Sequence, residues 1–249
     1  MIKTITSRLA FLVAAICAFN LQAQQEDQRD YYNWFDQQVG IENTGLFNGI
    51  RYKELYRIKN GKHKFYKSPD YQATNLLYDG QPYYDIPMKY DLFEDQLIIS
   101  LQTGTGSSII QLLKEKVTSF QLDEKQFVHV REIELFKSKD QIDGFYEVLE
   151  EGNSLTLYKK HRKLPKKVLE NKAVLYEFRN DDLYYILYEN LFYPIKKKTD
   201  LLKIFPERKK QINAFFSGNK YLMDTDYDLF MTQIADRIDA ALTNKSSES

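Results

Sequence analysis

Apolar and polar side chains alternate with a period of two along the middle of the chain, most clearly in residues 80–101. Alternation of this kind predicts β-strands with one buried face. The apolar face of the first strand is predicted to hold Tyr84, Ile86, Met88 and Tyr90. Pro87 cannot donate a ladder hydrogen bond, so it indicates an edge strand or a bulge. After a loop, a second strand completes a hairpin and is predicted to bury Leu97, Ile99 and Leu101.

The same alternation recurs in many short segments between residues 45 and 198, including residues 49–58 and 63–68. Turn-forming residues separate these segments at positions 60–61, 79–80, 104–106, 151–153 and 179–182. Many short strands joined by short turns are typical of an antiparallel meander. No helix-length pattern interrupts them, which argues against a parallel βαβ arrangement. The predicted fold class is mainly β: an antiparallel β-meander, as an open barrel or curved sheet, with a C-terminal helical appendage.

From residue 199 the apolar period becomes helical, and residues 199–243 are predicted to form the appendage. The clearest helix carries an apolar stripe at helical spacing: Tyr227, Phe230, Met231, Ile234, Ile238 and Ala241. Asp224 or Asp226 is predicted to cap its N-terminus. The stripe either covers the sheet or docks on a partner protein, and covering the sheet is the favoured hypothesis. Residues 244–249 are predicted to be a disordered tail.

The first 23 residues have the layout of a secretory signal peptide. Lys3 and Arg8 precede an apolar run that is too short to span a bilayer, and Ala23 is the predicted last residue removed. A buried N-terminal helix is one alternative. A lipoprotein signal at Cys17 is another, although Ile16 stands where a small residue is usual. The sequence therefore predicts an extracytoplasmic protein, periplasmic or secreted.

Residues 24–44 form a separate N-terminal segment before the predicted β domain of residues 45–198. The polar and aromatic residues around Trp34 predict a short helix there, with Trp34 as a packing anchor. The whole chain has 35 basic and 35 acidic residues, and loss of the signal peptide leaves a net charge of −2. A nearly neutral chain gives no general attraction to nucleic acid. No segment after the signal is apolar enough to predict a transmembrane helix.

Basic residues crowd what the pattern predicts to be one connection between strands. They are Lys159, Lys160, Arg162, Lys163, Lys166 and Lys167. Tyr184 and Tyr188 lie on a nearby strand whose two faces are both apolar. These eight residues are the candidate binding surface, for an envelope protein, a glycan or an anionic lipid surface. The simpler interpretation is a solvated loop, with lysines that protect sheet edges from aggregation.

Candidate catalytic chemistry is sparse. The three histidines, His63, His129 and His161, share no metal-ligand spacing, and no nucleophile elbow occurs. Residues 104–108 lack the lysine of a phosphate-binding loop. Several carboxylates could serve a glycosidase if two faced each other across a cleft: Asp85, Asp91, Glu94, Asp95, Glu147, Glu150 and Glu151. The sequence thus predicts no catalytic, cofactor-binding or metal-binding residue, and most of these acids are expected to be solvated.

Three segments carry a resemblance: the signal sequence, residues 82–99 with the hairpin PYYDIPMKYDLFEDQLII, and residues 196–216 with KKKTDLLKIFPERKKQINAFF. Together they resemble a recurrent type of secreted, Tyr-rich β protein of Bacteroidota with a short helical tail. The resemblance covers most of the mature chain, although its individual motifs are loose. It implies a location in a Gram-negative envelope, and it implies no activity.

The predicted function is that of a non-catalytic envelope protein that acts as a binding or structural partner. One alternative is a carboxylate-dependent hydrolase acting on glycan. The other is an outer-membrane-associated β protein, suggested by the alternating strands and the 19 tyrosines. A transmembrane barrel usually ends in a strand, whereas this chain ends in a predicted amphipathic helix and a polar tail.

Overall fold

The computed structural model describes residues 29–104, 106–131 and 143–246. The predicted signal peptide and residues 247–249 lie outside the described residues. Residues 29–39, within the predicted N-terminal segment, form a helix, α1. Two 3₁₀ turns follow at Ile41–Asn43 and Gly45–Asn48.

The described part of the chain contains thirteen β-strands. They are β1 (Ile50–Arg51), β2 (Gln72–Tyr78), β3 (Gln81–Asp91), β4 (Gln96–Thr103), β5 (Gly106–Gln111), β6 (Val117–Leu122), β7 (Lys125–Val130), β8 (Gly144–Glu151), β9 (Leu155–Lys160), β10 (Lys163–Glu170), β11 (Ala173–Asn180), β12 (Leu183–Tyr188) and β13 (Leu191–Ile195). Four helices follow: α2 (Lys198–Ile204), α3 (Lys209–Gly218), α4 (Lys220–Thr225) and α5 (Tyr227–Ser246). The helical appendage was predicted to end at residue 243, whereas α5 continues for three more residues, to Ser246.

Eleven strands form one sheet in the order β1-β5-β4-β3-β2-β6-β7-β8-β9-β12-β13, and β10 pairs with β11 in a second sheet. Every ladder is antiparallel, and β1 and β13 lie at opposite ends of the strand order. The predicted fold class, an antiparallel β protein with C-terminal helices, is confirmed as an open sheet. The meander is interrupted where β2 pairs with β6 and where β9 pairs with β12.

The predicted hairpin of residues 80–101 is present as β3 and β4. At the start of β3, however, the buried side chain is one residue earlier than predicted. Tyr83, not Tyr84, points into the core, while Ile86, Met88 and Tyr90 are buried as predicted. The cause is a β-bulge, because β3 advances three residues between its pairings with Thr74 and Leu76 of β2 while β2 advances two. A bulge shifts the alternation of side chains.

Residues 49–58 and 63–68 were predicted to be strands, and that prediction is wrong for most of their length. Apart from β1, the segment has only single bridges, Ile58 with Tyr176 and Phe65 with Asp91. Lys64 and Asp91 form a buried ion pair at 2.8 Å. The Lys64 ammonium also lies 4.8 Å from the centre of the Tyr56 ring. Side-chain contacts of this kind hold the segment against the sheet where a strand ladder was expected.

One continuous apolar face of the sheet carries two cores. The first is aromatic and includes Tyr90, which makes edge-to-face contacts with Phe120, Phe127 and Phe145. The second lies between strands β9, β12 and β13 and the C-terminal helices, and it buries four residues of the predicted stripe: Phe230, Met231, Ile234 and Ile238. Tyr227 and Ala241 of the predicted stripe are only partly buried, whereas Ala235, which was not predicted, is fully buried. The helices therefore cover the sheet of their own chain, as the favoured hypothesis held.

Asp226 caps α5, since its carboxylate accepts the backbone N–H of Leu229 at 3.0 Å. No helix in the described ranges combines the length and apolar character needed to cross a bilayer. Trp34 is not the packing anchor that was predicted. Its side chain is 56% exposed, because α1 turns Tyr31, Trp34 and Phe35 to solvent. An ion pair between Arg29 and Asp85 connects α1 to the bulge in β3.

Candidate functional site

Ten titratable residues meet in a cavity that we call the junction pocket. It has a volume of about 360 Å³. The pocket lies where strands β7–β9 meet the irregular segment 63–67, the base of the β10–β11 hairpin and the start of α5. Its titratable lining residues are His63, Tyr66, Lys67, Lys125, Glu147, Lys159, His161, Lys163, Asp182 and Asp228. Titratable groups with shifted pKa values that converge in a cavity mark a candidate functional site.

His161 stands between two acids in the pocket wall. Its Nε2 donates to the Glu147 carboxylate at 2.5 Å, and its Nδ1 lies 3.7 Å from the Asp182 carboxylate. Lys125 reaches the other oxygen of Glu147 at 3.1 Å. Burial by itself would raise the pKa of Glu147, but the hydrogen bonds and charges of His161 and Lys125 bring it below its usual range. Glu147 is therefore held as a carboxylate.

Lys159 forms a second ion-pair centre in the same wall. Its ammonium lies 2.7 Å from the Asp228 carboxylate and 3.3 Å from that of Asp182. The Tyr184 hydroxyl also donates to Asp228. Burial opposes the charge on Lys159, yet the two carboxylates outweigh it and raise its pKa. Burial likewise opposes the charge on Asp228, and the contacts with Lys159 and Tyr184 lower its pKa.

Lys163, unlike Lys159, is held by backbone carbonyls. Its Nζ donates to the backbone carbonyls of His63 and Phe65, both at 2.8 Å, and no carboxylate of the described residues lies within ion-pair distance. Burial lowers the pKa of Lys163. Burial and the nearby Lys163 charge also lower the pKa of His63. The buried Nδ1 of His63 has no hydrogen-bond partner among the residues described. One N–H group of Lys163 and the Nδ1 of His63 therefore have no hydrogen-bond partner among the residues described.

The structure does not bring the eight candidate binding residues together as one surface. Lys159 and Lys163 line the junction pocket. Lys160 follows Lys159 in β9 and so points to the opposite face of the sheet. It pairs there with Asp95 at 2.6 Å. Arg162 pairs with Asp181.

The other four divide between two places. Tyr184 and Tyr188 pack under the C-terminal helices, where Tyr184 contacts Tyr227 and Tyr188 contacts Phe205. Lys166 and Lys167 are exposed on β10. The interpretation of the basic run as a connection between strands is therefore wrong. Residues 163–170 pair along their whole length with β11, across a two-residue turn at Asn171–Lys172 in which both φ angles are positive.

Sequence reasoning missed most of the pocket. Glu147 was among the acids of which most were expected to be solvated, yet it is buried, as are His161 in the pocket and Asp91 and Lys64 outside it. One signal in the sequence indicated buried charges. On the covered face of β8 and β9, Glu147 and Lys159 interrupt the alternation of apolar residues. No group of three His, Asp or Glu side chains in the described ranges is arranged to hold a metal ion.

Lowering the pH should lower the free energy of unfolding, because Glu147 becomes protonated. Because its pKa is lowered on folding, its contribution to stability is complete above about pH 4.5, the usual pKa of glutamate. That contribution is lost as the pH falls through the lower folded value. We expect Glu147→Gln to flatten the acid limb of the stability profile, measured by urea unfolding at a series of pH values. The control is Glu151→Gln at the exposed end of the same strand, and equal acid limbs in both variants would contradict the assignment.

A glycine supports the neighbouring Lys160–Asp95 pair. A Cβ at Gly144 would overlap both the Lys160 ammonium and the Asp95 carboxylate. We expect Gly144→Ala to lower the free energy of unfolding by about 1–3 kcal/mol, the usual cost of overpacking. Gly104→Ala is the matched control, because nothing lies within 4 Å of a Cβ at that position. Urea denaturation of both variants tests this, and equal stabilities would contradict it.

Comparison with known proteins gives no match: no protein-family model, no curated protein and no solved structure is similar to this chain.

Proposed function

We propose that this protein is a non-catalytic, extracytoplasmic binding protein whose junction pocket holds a small polar ligand with an anionic group. One observation carries the proposal: the Lys163 ammonium stands in the pocket wall without a carboxylate partner in the described chain. Two of its three N–H groups serve backbone carbonyls, which leaves one donor for a ligand. Hydrogen bonds between an ammonium and an anion are among the strongest in proteins.

The states of the pocket acids favour binding over hydrolysis. A carboxylate-dependent glycosidase needs one acid that keeps its proton near neutral pH. The pKa values of Glu147 and Asp228 are both lowered by their cationic partners, so neither is suited to donate a proton. Their charges orient His161 and Lys159 instead. The arrangement is that of a rigid polar wall.

The extracytoplasmic part of the proposal rests on the pattern of residues 1–23 and on the resemblance to secreted proteins of Bacteroidota. Anionic sugars are abundant ligands outside the cytoplasm, and a pocket lined by both donors and acceptors suits their hydroxyl groups. A sugar acid is therefore a reasonable first probe. Neutral sugars of the same size provide the comparison.

Isothermal titration calorimetry of residues 24–249 with glucuronate and with glucose tests the proposal. We expect glucuronate to bind and glucose to bind more weakly. Lys163→Gln should weaken glucuronate binding by about tenfold or more, since a hydrogen bond to a charged group is worth roughly 1.5–3 kcal/mol. Lys167→Gln, on the same strand but outside the pocket, should bind as the unaltered protein does.

Melting temperatures of both variants show whether the fold is retained. If Lys163→Gln binds glucuronate as tightly as Lys167→Gln, the pocket is not the binding site. If no sugar acid, amino acid or phosphate ester in a wider panel binds at all, the proposal fails.

A further inference from the structure

The β10–β11 hairpin is a two-stranded sheet that stands apart from the main sheet. Its middle is held to the body by Tyr176 and Phe178, whose rings pack edge to face on Tyr56. Backbone hydrogen bonds join Tyr176 to the carbonyl of Arg57 and to the N–H of Lys59. The hairpin is therefore fixed at its middle, and it presents its turn end in a defined position.

The tip of the hairpin exposes two aliphatic side chains. Leu169 is 76% exposed and Val174 is 49% exposed. They are direct cross-strand partners next to the turn, so both side chains lie on the same face. An adjacent pair of exposed aliphatic residues at the end of a hairpin differs from the scattered single apolar residues of an ordinary surface.

Cations surround this pair, and the nearby acids are already neutralised. Residues 163–180 contain five basic and two acidic residues, a net charge of +3 in a chain whose total is zero. Glu170 pairs with Lys59 and Glu177 with Lys62, both from the irregular segment of the body. Lys166, Lys167 and Lys172 are exposed on the hairpin.

We infer that the hairpin tip docks on an anionic phospholipid surface. Leu169 and Val174 enter the boundary between headgroups and acyl chains. Lys167 on the same face, Lys172 in the turn and Lys166 on the opposite face lie against the negative headgroups around the tip. Exposed aliphatic residues supply the apolar part of interfacial binding, and each nearby lysine adds an electrostatic part. A purely solvated hairpin explains the lysines but not the exposed aliphatic pair beside them.

Sedimentation of the mature chain with lipid vesicles tests the inference. Vesicles of phosphatidylcholine with added phosphatidylglycerol should bind the protein, and vesicles of phosphatidylcholine alone should bind it weakly. The double variant Lys166→Gln/Lys167→Gln should lower the partition constant by about 25-fold, because each lysine near an anionic surface contributes a factor of about five. Leu169→Gln should lower it by about tenfold through lost apolar burial.

Two matched controls keep the test specific. Lys209→Gln/Lys210→Gln makes the same charge change on α3, and Leu55→Gln removes a side chain that is 71% exposed elsewhere on the surface. Neither should change binding by more than about twofold. Equal losses in the hairpin and α3 double variants would show general charge attraction and overturn the inference. Failure of the unaltered chain to sediment with anionic vesicles would also overturn it.

Discussion

Replacing Asp239 with alanine is expected to lower the free energy of unfolding by roughly 3–5 kcal/mol. The Asp239 carboxylate, on α5, accepts three backbone N–H groups from the β8–β9 turn: Asn153 at 2.9 Å, Ser154 at 2.7 Å and Leu155 at 3.0 Å. The buried Leu155 amide costs about 1–3 kcal/mol when it is left without an acceptor, and the Asn153 and Ser154 amides each lose a hydrogen bond to a charged group. Urea denaturation followed by circular dichroism measures the effect.

Asp236→Ala is the matched control, since Asp236 is an exposed acid on the same helix. It should change stability by less than about 0.5 kcal/mol. Gly152→Ala should reproduce part of the Asp239 effect, because a Cβ at position 152 would overlap the Asp239 carboxylate. Similar unfolding curves for Asp236→Ala and Asp239→Ala would show that this contact does not hold the helix to the sheet.

Tyr90→Ala is expected to lower the free energy of unfolding by about 3–5 kcal/mol, the usual cost of removing a fully buried aromatic side chain. The Tyr90 side chain is 1% exposed at the centre of the first core. Its ring contacts Phe120, Phe127 and Phe145. Thermal and urea unfolding measure the loss.

Tyr90→Phe separates the ring from the hydroxyl, which donates to Asp95 at 2.6 Å. We expect a cost of about 1–3 kcal/mol for that change, since Asp95 loses one partner but keeps Lys160 and Lys114. An unchanged melting temperature in Tyr90→Ala, together with lost ligand binding, would mean that the hairpin serves a site rather than the core.

The proposed pocket and the proposed docking surface share one strand, β10, which contributes Lys163 to the pocket and Lys166 and Lys167 to the hairpin. The two roles can be tested separately, because Lys163→Gln addresses the ligand while Lys166→Gln/Lys167→Gln addresses the lipid. Loss of one activity with retention of the other would establish that the sites are independent.

Local turn chemistry could be predicted well. Asp79 and Gly80 have positive φ angles and connect β2 to β3, as the Asp-Gly pair indicated. The turn at Asn171–Lys172 has the same geometry but was missed, since its flanking strand is rich in lysine and contains Pro165. That composition suits a strand that pairs on one side.

Side-chain direction after an irregularity could not be predicted. The alternation in residues 80–101 placed Tyr84 with Ile86 on the buried face, and the bulge in β3 replaced it with Tyr83. Position along a strand specifies a face only while the ladder is regular. Lys159 and Lys160 illustrate the regular case, since neighbours in β9 reach different ion-pair partners on opposite faces.

The class of fold, the C-terminal helices and the capping of α5 follow from local patterns, because each depends on the period of apolar residues or on a cap within a few positions. Which charges are buried and which are exposed depends instead on tertiary contacts. Glu147 and His161 are 14 residues apart, and Lys159 and Asp228 are 69 apart. Residues so far apart in sequence meet because the sheet and the helices bury a shared apolar face. Polar groups that are buried with this face must then form hydrogen bonds or ion pairs. The junction pocket forms where those partners meet.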